Sequence, residues 1–173
     1  EWKWDGIRVQ LVIDGDRARL FSRTGDDISA AFPDLVEALG GRAVLDGELL
    51  VGHDFDPMNF NNLQQRLNRK TPAKSHICDY PAFVRVYDML FDGEEDIRDL
   101  PLVDRRRRLE AWMATHAGTR LDLSEILAFN DWEELAALRR MGAETHGHEG
   151  LMIKQLQSLY VAGRPKGPWF KWK

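Results

Sequence analysis

Apolar and polar residues alternate along much of this chain, and the alternation predicts a fold rich in β-strands. Residues 7–13 and 17–22 alternate on either side of an Asp-Gly pair, which favours a tight turn, so together they predict a β-hairpin. Residues 43–51 and 83–91 are more continuously apolar and predict buried strands. Shorter strands are predicted over 121–129, within 147–154 and over 169–172.

Helical spacing of apolar residues appears in four other segments. Residues 32–39 lead into two glycines, and residues 57–67, 102–113 and 131–141 place apolar side chains three or four positions apart. Asp131 and Glu134 predict a capping box at the start of the last segment. Because strands and helices do not alternate regularly, the pattern predicts the α+β class with mainly antiparallel sheet.

Length and composition are typical of a globular protein. The chain has 173 residues, of which 43% are hydrophobic and 30% are charged, so it predicts one domain or two small lobes. No apolar run approaches the length of a membrane span, and no targeting segment is recognisable. The single cysteine, Cys78, excludes an internal disulfide and indicates a reducing cytoplasm. No histidine can be placed beside it, which disfavours a catalytic thiol.

The net charge of -4 hides two basic segments. Residues 59–78 contain four cations and no acid, and residues 150–173 contain five cations and no acid. This separation predicts a basic face that contacts phosphate groups, and a DNA-facing surface loop over 66–74 is one interpretation of the first segment. The arginine run 105–108 points in all directions of a helix and is interpreted as a solvated structural face. His146 and His148 have no third ligand nearby, so a metal site is disfavoured there.

Candidate chemistry begins at the first residues. Lys3 lies between Trp2 and Trp4 and is followed by the turn-forming pair Asp5-Gly6. Burial beside indole rings favours the neutral amine, which is the nucleophilic form of lysine. The pattern Lys-x-Asp-Gly alone is equally typical of a solvated lysine at a surface turn, so the rest of the chain must decide.

Six short segments decide it when they are taken in order. They read KWDGIR at 3–8, SRTG at 22–25, DGE at 46–48, VYDML at 86–90, EGLMIK at 149–154 and WFKWK at 169–173. Together they resemble the motifs of the covalent nucleotidyltransferases, and specifically the adenylation domain of ATP-dependent DNA ligases. The resemblance covers the whole chain and implies the nucleotidyltransferase catalytic core that DNA ligases share with mRNA capping enzymes, an ATP-grasp-like fold. Arg8 and the SRTG segment favour a DNA ligase over a capping enzyme.

The resemblance implies a role for each matched position. Lys3 would be the nucleophile that takes AMP from ATP and becomes a lysine–AMP phosphoramidate. Glu1 and Trp2 would lie beside the adenine, and Tyr87 would stack on it, although a buried strand tyrosine explains Tyr87 as well. The remaining nucleotide-binding positions would be Arg8, Arg23, Glu48, Arg164, Lys171 and Lys173.

The resemblance also implies partners. Glu48 and Glu149 would bind the ribose or Mg²⁺, and Asp5 is a further metal candidate that capping of its own turn explains equally well. Lys171 and Lys173 share one strand face and would grip the α-phosphate, and we infer that their charge also favours a neutral Lys3 amine. The expected partners are ATP and nicked double-stranded DNA, with the protein a monomer that does not enter a membrane.

Family ligases also carry an oligonucleotide-binding (OB) domain and other DNA-binding regions. Neither is recognisable here, so we interpret residues 1–173 as a single adenylation domain. Two alternatives remain open at this point. One is an RNA ligase or a capping-type nucleotidyltransferase, which uses the same lysine chemistry, and the other is a degenerate module that binds nucleotide or DNA without catalysis.

Overall fold

The computed structural model describes residues 1–116, 118, 120–144, 148–163 and 166–173. Its strands in this part of the chain are β1 (Trp2–Trp4), β2 (Ile7–Gly15), β3 (Arg17–Ser22), β4 (Gly41–His53), β5 (Asp56–Pro57), β6 (Ala82–Asp92), β7 (Glu95–Asp96), β8 (Leu121–Leu123), β9 (His148–Lys154) and β10 (Trp169–Trp172). Its α-helices are α1 (Pro33–Val36), α2 (Phe60–Leu67), α3 (Lys74–Asp79), α4 (Leu102–His116) and α5 (Trp132–Ala143), and a 3₁₀ turn spans Ser29–Ala31.

The strands form two sheets. Within the described residues, a seven-stranded sheet follows the order β3-β2-β4-β6-β7, with β5 added to β4 and β8 added to β6. Only β8 pairs in parallel among these strands. A three-stranded antiparallel sheet has the order β1-β9-β10. The predicted α+β class with mainly antiparallel pairing is therefore confirmed.

The hydrophobic core lies on one side of the large sheet. Leu11, Leu45 and Val84 come from three neighbouring strands and are fully buried, as are Leu35 of α1 and Leu109 of α4. Helix α4 packs against β6, which lies next to the central strand β4. One face of the large sheet is thus covered by helices, which leaves its other face free to carry polar side chains.

The pattern of apolar residues predicted most of these elements. The hairpin of β2 and β3, the long strands β4 and β6, and the helices α4 and α5 are all confirmed. The segment predicted as a helix over 32–39 is shorter, because the 3₁₀ turn and the four residues of α1 share it. The weak alternation over 121–129 yields only the three residues of β8.

Two predicted helix starts differ in detail. Helix α2 begins at Phe60 and not at Pro57, because Pro57 belongs to β5 and the Asn59 side chain accepts a hydrogen bond from the Asn62 N–H to cap the helix. Asp131 caps α5 by accepting from the Glu134 N–H at 2.8 Å. The Glu134 carboxylate accepts from the backbone of Asn130 at 2.9 Å, so the reciprocal bond of a capping box is displaced by one residue.

The sequence suggested that Arg66 belongs to a DNA-facing loop, and the structure contradicts this interpretation. Its side chain is fully buried and donates to Asp34 Oδ1 at 2.5 Å, to the Ala31 carbonyl at 3.0 Å and to the Tyr80 carbonyl at 2.7 Å. This guanidinium therefore joins α2 to α1 and to the entry of β6. Arg69 remains exposed, so the basic character of this surface survives without Arg66.

The arginine run 105–108 is likewise not a solvated face throughout. Arg105 is fully buried and binds both carboxylate oxygens of Asp88, at 2.8 and 2.9 Å. Arg106 is also buried, whereas Arg107 and Arg108 are exposed and pair with surface acids. The prediction is wrong for the first two arginines because α4 turns them toward β6.

Replacing Arg66 by methionine is expected to lower the free energy of unfolding by about 3 to 5 kcal/mol, because Asp34 would remain buried without its cation. Arg69→Met removes an exposed cation three residues away and is expected to change that free energy by less than about 0.5 kcal/mol. Urea unfolding followed by circular dichroism measures both. Equal midpoints for the two variants would contradict a structural role of the Arg66–Asp34 pair.

Candidate active site

A cleft of about 570 Å³ lies between the two sheets. The small sheet forms one wall, and the exposed face of the large sheet forms the other. The lining includes eight of the residues that the sequence singled out: Glu1, Trp2, Lys3, Arg8, Arg23, Glu48, Tyr87 and Lys171. Arg164, a further predicted nucleotide-binding residue, and His146 lie outside the described residues.

Lys3 is held at this cleft by an ion pair. Its Nζ donates to Glu149 Oε2 at 2.5 Å, and its side chain is 16% exposed. Lys173 Nζ lies 2.8 Å from the same oxygen, so two ammonium groups share one carboxylate. Hydrogen bonds from Lys173 and Lys3 lower the pKa of Glu149 to about 2. Lys3 must leave this pair before its nitrogen lone pair is available for attack.

The two tryptophans beside Lys3 fix the position of β1. Trp2 stacks on the His148 ring with centroids 4.4 Å apart, and Trp4 meets the same ring edge-on at 5.3 Å. The Arg85 guanidinium lies 3.9 Å from the centroid of the Trp4 ring. His148 therefore contributes packing that holds β1. Arg85 was not singled out from the sequence, because a single arginine in an apolar strand gives no signal of its partner.

Glu48 lies opposite Arg8 in the pairing of β4 with β2. Burial raises the pKa of Glu48 to about 7, and Lys3, Arg8 and Lys171 oppose this shift only in part. Burial and the nearby charge of Glu149 also raise the pKa of Asp5. Three carboxylates thus surround the Lys3 amine with very different affinities for protons.

The other members of the DGE segment have structural explanations. Asp46 is fully buried and accepts from Arg8 at 2.6 Å and from the Tyr160 hydroxyl at 3.0 Å. A Cβ atom added to Gly47 would lie 2.5 Å from a methyl group of Val84, so the neighbouring strand leaves room only for glycine. Glu48 keeps its position as a candidate binding residue.

An aromatic and cationic slot closes one end of the cleft. The rings of Tyr87 and Trp169 are 6.0 Å apart and nearly perpendicular. Lys154 Nζ lies 4.3 Å from each ring centroid and forms an ion pair with the Glu1 carboxylate. Tyr87 is half-buried and faces the cleft, so it is not simply a core tyrosine. Trp169 and Lys154 had been counted only as parts of motifs, although each lies at the edge of a recognised segment.

The carboxylates fit a magnesium ion that also binds a nucleotide. The described residues contain no group of three or more His, Cys, Asp or Glu side chains that could hold a metal by themselves. Mg²⁺ commonly uses one or two carboxylates and completes its octahedron with water and substrate phosphates. Glu48 and Glu149, with Asp5 beside them, supply such a partial donor set.

The curled antiparallel sheet, the small sheet and the lysine between them define the nucleotidyltransferase domain of DNA ligases. The structure matches mycobacterial DNA ligase D complexed with ATP and MES with a TM-score of 0.74 and 28% identity, over 99% of this chain and 52% of that chain. It matches the ligase domain of M. tuberculosis LigD with the same TM-score of 0.74, identity of 28% and coverage of 99% of this chain and 52% of that chain.

The family model for the ATP dependent DNA ligase domain matches residues 1–173, so the chain belongs to this family. Similar curated proteins include the DNA ligase of Thermococcus fumicolans, 35% identical over 100% of this chain and 32% of its own length. The DNA ligase of Archaeoglobus fulgidus is 34% identical over 100% of this chain and 31% of its own length. The chain thus spans about a third of these relatives. Among its described helices, none has the length and apolar character to cross a membrane.

The unequal proton affinities of the carboxylates can be measured directly. In a carbon NMR titration of the glutamate side chains, Glu48 is expected to titrate near pH 7. Glu149 is expected to stay ionised down to about pH 2, since two ammonium groups stabilise its charge. Glu48→Gln and Glu149→Gln assign the two signals. A Glu48 midpoint close to the ordinary value of 4.5 would contradict the burial of its carboxylate.

The raised pKa of Glu48 also makes the stability of the folded protein depend on pH. The folded protein holds the Glu48 proton more tightly than the unfolded chain, so its contribution to stability is lost as the pH rises from about 4.5 through 7. Glu48→Gln, which cannot ionise, is therefore expected to become more stable relative to the parent protein as the pH increases from 5 to 8. Thermal melting at the two pH values measures the difference.

Proposed function

We propose that residues 1–173 act as the adenylation domain of an ATP-dependent DNA ligase. Lys3 Nζ attacks the α-phosphorus of ATP, a P–N bond forms, the bond to the leaving oxygen breaks and pyrophosphate departs. The Lys3 ammonium loses one proton to solvent before the attack, and the nitrogen loses a second proton to solvent as the P–N bond forms. The observation that supports this most is the position of Lys3, whose amine meets Glu149 and Lys173 at a cleft large enough for a nucleotide.

Each wall of the cleft has a proposed task in binding ATP. The purine stacks on Tyr87 beside Trp169, and the Glu1 carboxylate, with Trp2 next to it, accepts a hydrogen bond from the adenine amine. Glu48 binds the ribose or takes part in holding Mg²⁺. The remaining phosphate and sugar contacts come from cationic side chains: Arg8, Arg23, Arg164, Lys171 and Lys173.

Two lysines and a metal ion are proposed to balance the negative charge of the ATP phosphates around the reacting α-phosphorus. Lys171 lines the cleft and Lys173 shares the Glu149 oxygen with Lys3, so both cations can stabilise charge that develops at the α-phosphate. Glu48, Glu149 and Asp5 are proposed to hold Mg²⁺, which when bound neutralises phosphate charge and favours departure of pyrophosphate. An incoming phosphate can also compete with Glu149 for the ammonium groups of Lys3 and Lys173 and thereby release Lys3 from its ion pair.

The later steps use the stored adenylate. AMP moves from Lys3 to the 5′-phosphate at a nick in double-stranded DNA, and the 3′-hydroxyl then displaces AMP to form the phosphodiester bond. Exposed cations on and before α3, Arg69, Lys70 and Lys74, are proposed to contact the DNA backbone. We expect residues 1–173 to act as a monomer.

Incubation with ATP labelled at the α-phosphate tests the first step. The chain is expected to carry a label that survives denaturation, because the phosphoramidate is covalent. Lys3→Ala should lose the label completely, since the nucleophile is gone, whereas Lys74→Ala removes an exposed lysine and should keep it. A label that remains in Lys3→Ala, or that washes away on denaturation, would refute adenylation at Lys3.

The same assay separates the related enzymes. Labelling by GTP in preference to ATP would indicate a capping-type nucleotidyltransferase, and transfer of AMP to nicked RNA in preference to nicked DNA would indicate an RNA ligase. Binding of ATP without any covalent label would indicate a degenerate binding module.

The two terminal lysines are expected to set the pH dependence of this step. Lys171→Met removes a positive charge from the cleft, so a higher pH is needed to obtain the neutral Lys3 amine. The pH at which labelling reaches half of its maximum is expected to move upward, while Lys74→Met leaves it in place. An unchanged profile in Lys171→Met would remove this role of the lysine.

A further inference from the structure

The Glu1 carboxylate, which the proposed function places beside the adenine amine, is held from behind by an arginine of α4. Arg106 Nη1 donates to Glu1 Oε1 at 3.1 Å. Both side chains are largely buried, with 10% of Arg106 and 9% of Glu1 exposed. An ion pair of this kind is screened little by solvent, so it restricts where the carboxylate can lie.

The other nitrogen atoms of Arg106 are occupied as well. Nη2 donates to the Ser124 carbonyl at 2.7 Å, and Nε donates to Glu110 Oε1 at 2.7 Å. Ser124 lines the cleft together with Glu1. Because the planar guanidinium of Arg106 donates to acceptors on three different segments, its orientation is fixed. The fixed guanidinium in turn fixes the position of the Glu1 carboxylate.

Lys154 also pairs with Glu1, but it is not suited to hold the carboxylate while a nucleotide is bound. Its ammonium lies 4.3 Å from the ring centroids of both Tyr87 and Trp169. A purine stacked on Tyr87 needs that space, so Lys154 must move when the base enters. Arg106 reaches Glu1 from α4 and keeps its contacts to Ser124 and Glu110.

We propose that Arg106 is the positioning residue that sets the selectivity of this site for adenine over guanine. The inference rests on the proposed function of Glu1. At position 6 of the purine, adenine presents an amine that donates, whereas guanine presents a carbonyl oxygen that accepts. A fixed carboxylate accepts from the adenine amine and faces the guanine oxygen with no proton between them, which leaves buried polar atoms unpaired. A mobile carboxylate can turn away from guanine, and selectivity is lost.

The test compares Arg106→Met and Arg106→Lys with Arg107→Met. Arg107 is the next residue of α4, is 74% exposed and pairs with Asp104 at 2.9 Å, so it is a matched control. Equilibrium binding of ATP and of GTP is followed by tryptophan fluorescence, with Trp169 as the reporter beside Tyr87, and labelling from each nucleotide gives KM and kcat.

Arg106→Met is expected to weaken ATP binding and to reduce the ratio of ATP to GTP affinity by about tenfold, the equivalent of one lost polar interaction. The change should fall on KM more than on kcat, because the residue does not contact the phosphates. Arg106→Lys should give an intermediate ratio, since one ammonium cannot hold three separate acceptors in a plane. Arg107→Met should match the parent protein.

A double variant checks that Arg106 acts through Glu1. Glu1→Ala combined with Arg106→Met should show the same nucleotide ratio as Glu1→Ala alone, because the positioning residue then has nothing to position. Additive losses would overturn the proposal.

Thermal melting separates positioning from a purely structural role. A lower melting temperature with an unchanged ATP to GTP ratio in both Arg106 variants would also overturn the proposal, and Arg106→Lys supplies this ratio if Arg106→Met does not fold. Failure of the parent protein to bind or incorporate ATP would instead refute the proposed function.

Discussion

The cleft depends on one carboxylate oxygen. Glu149 Oε2 meets Lys3 at 2.5 Å and Lys173 at 2.8 Å, and these three residues come from β1, β9 and the end of β10. These two ion pairs therefore link β1, β9 and the end of β10 to one another at the cleft. A carboxylate between two ammonium groups offsets their repulsion, and without it the two cations would not stay together at low ionic strength.

A second layer of ion pairs supports the cleft from the side of α4. Arg105 binds Asp88, the residue after Tyr87, and also donates to the Ser158 carbonyl at 3.1 Å. Arg106 binds Glu1. Consecutive arginines of one helix therefore anchor the strand that carries Tyr87 and the segment that precedes Lys3. In this run of arginines, which looks like a nucleic-acid patch in the sequence, Arg105 and Arg106 are instead buried and hold the cleft in place.

The sequence predicted the strands, the motifs and most cleft residues, because alternation and motif spacing are local signals. It did not predict which cations are buried. Arg66 and Arg69 look alike in the sequence, yet one binds Asp34 in the interior and the other faces solvent. The difference comes from acids that lie 32 residues or more away, and no local pattern records such a partner. The sequence likewise does not record why position 47 is a glycine, because the methyl group that excludes a side chain belongs to another strand.

The order of strands in the small sheet also has a consequence for how the protein is made. Strand β1 pairs with β9, so that Trp2 lies opposite Leu151, and β10 completes the sheet on the other side. Strand β1 can therefore pair with its neighbour only after β9, which lies far along the sequence, has been synthesised. The ion pair between Lys3 and Glu149 can therefore form only after the described strands of the large sheet have been synthesised.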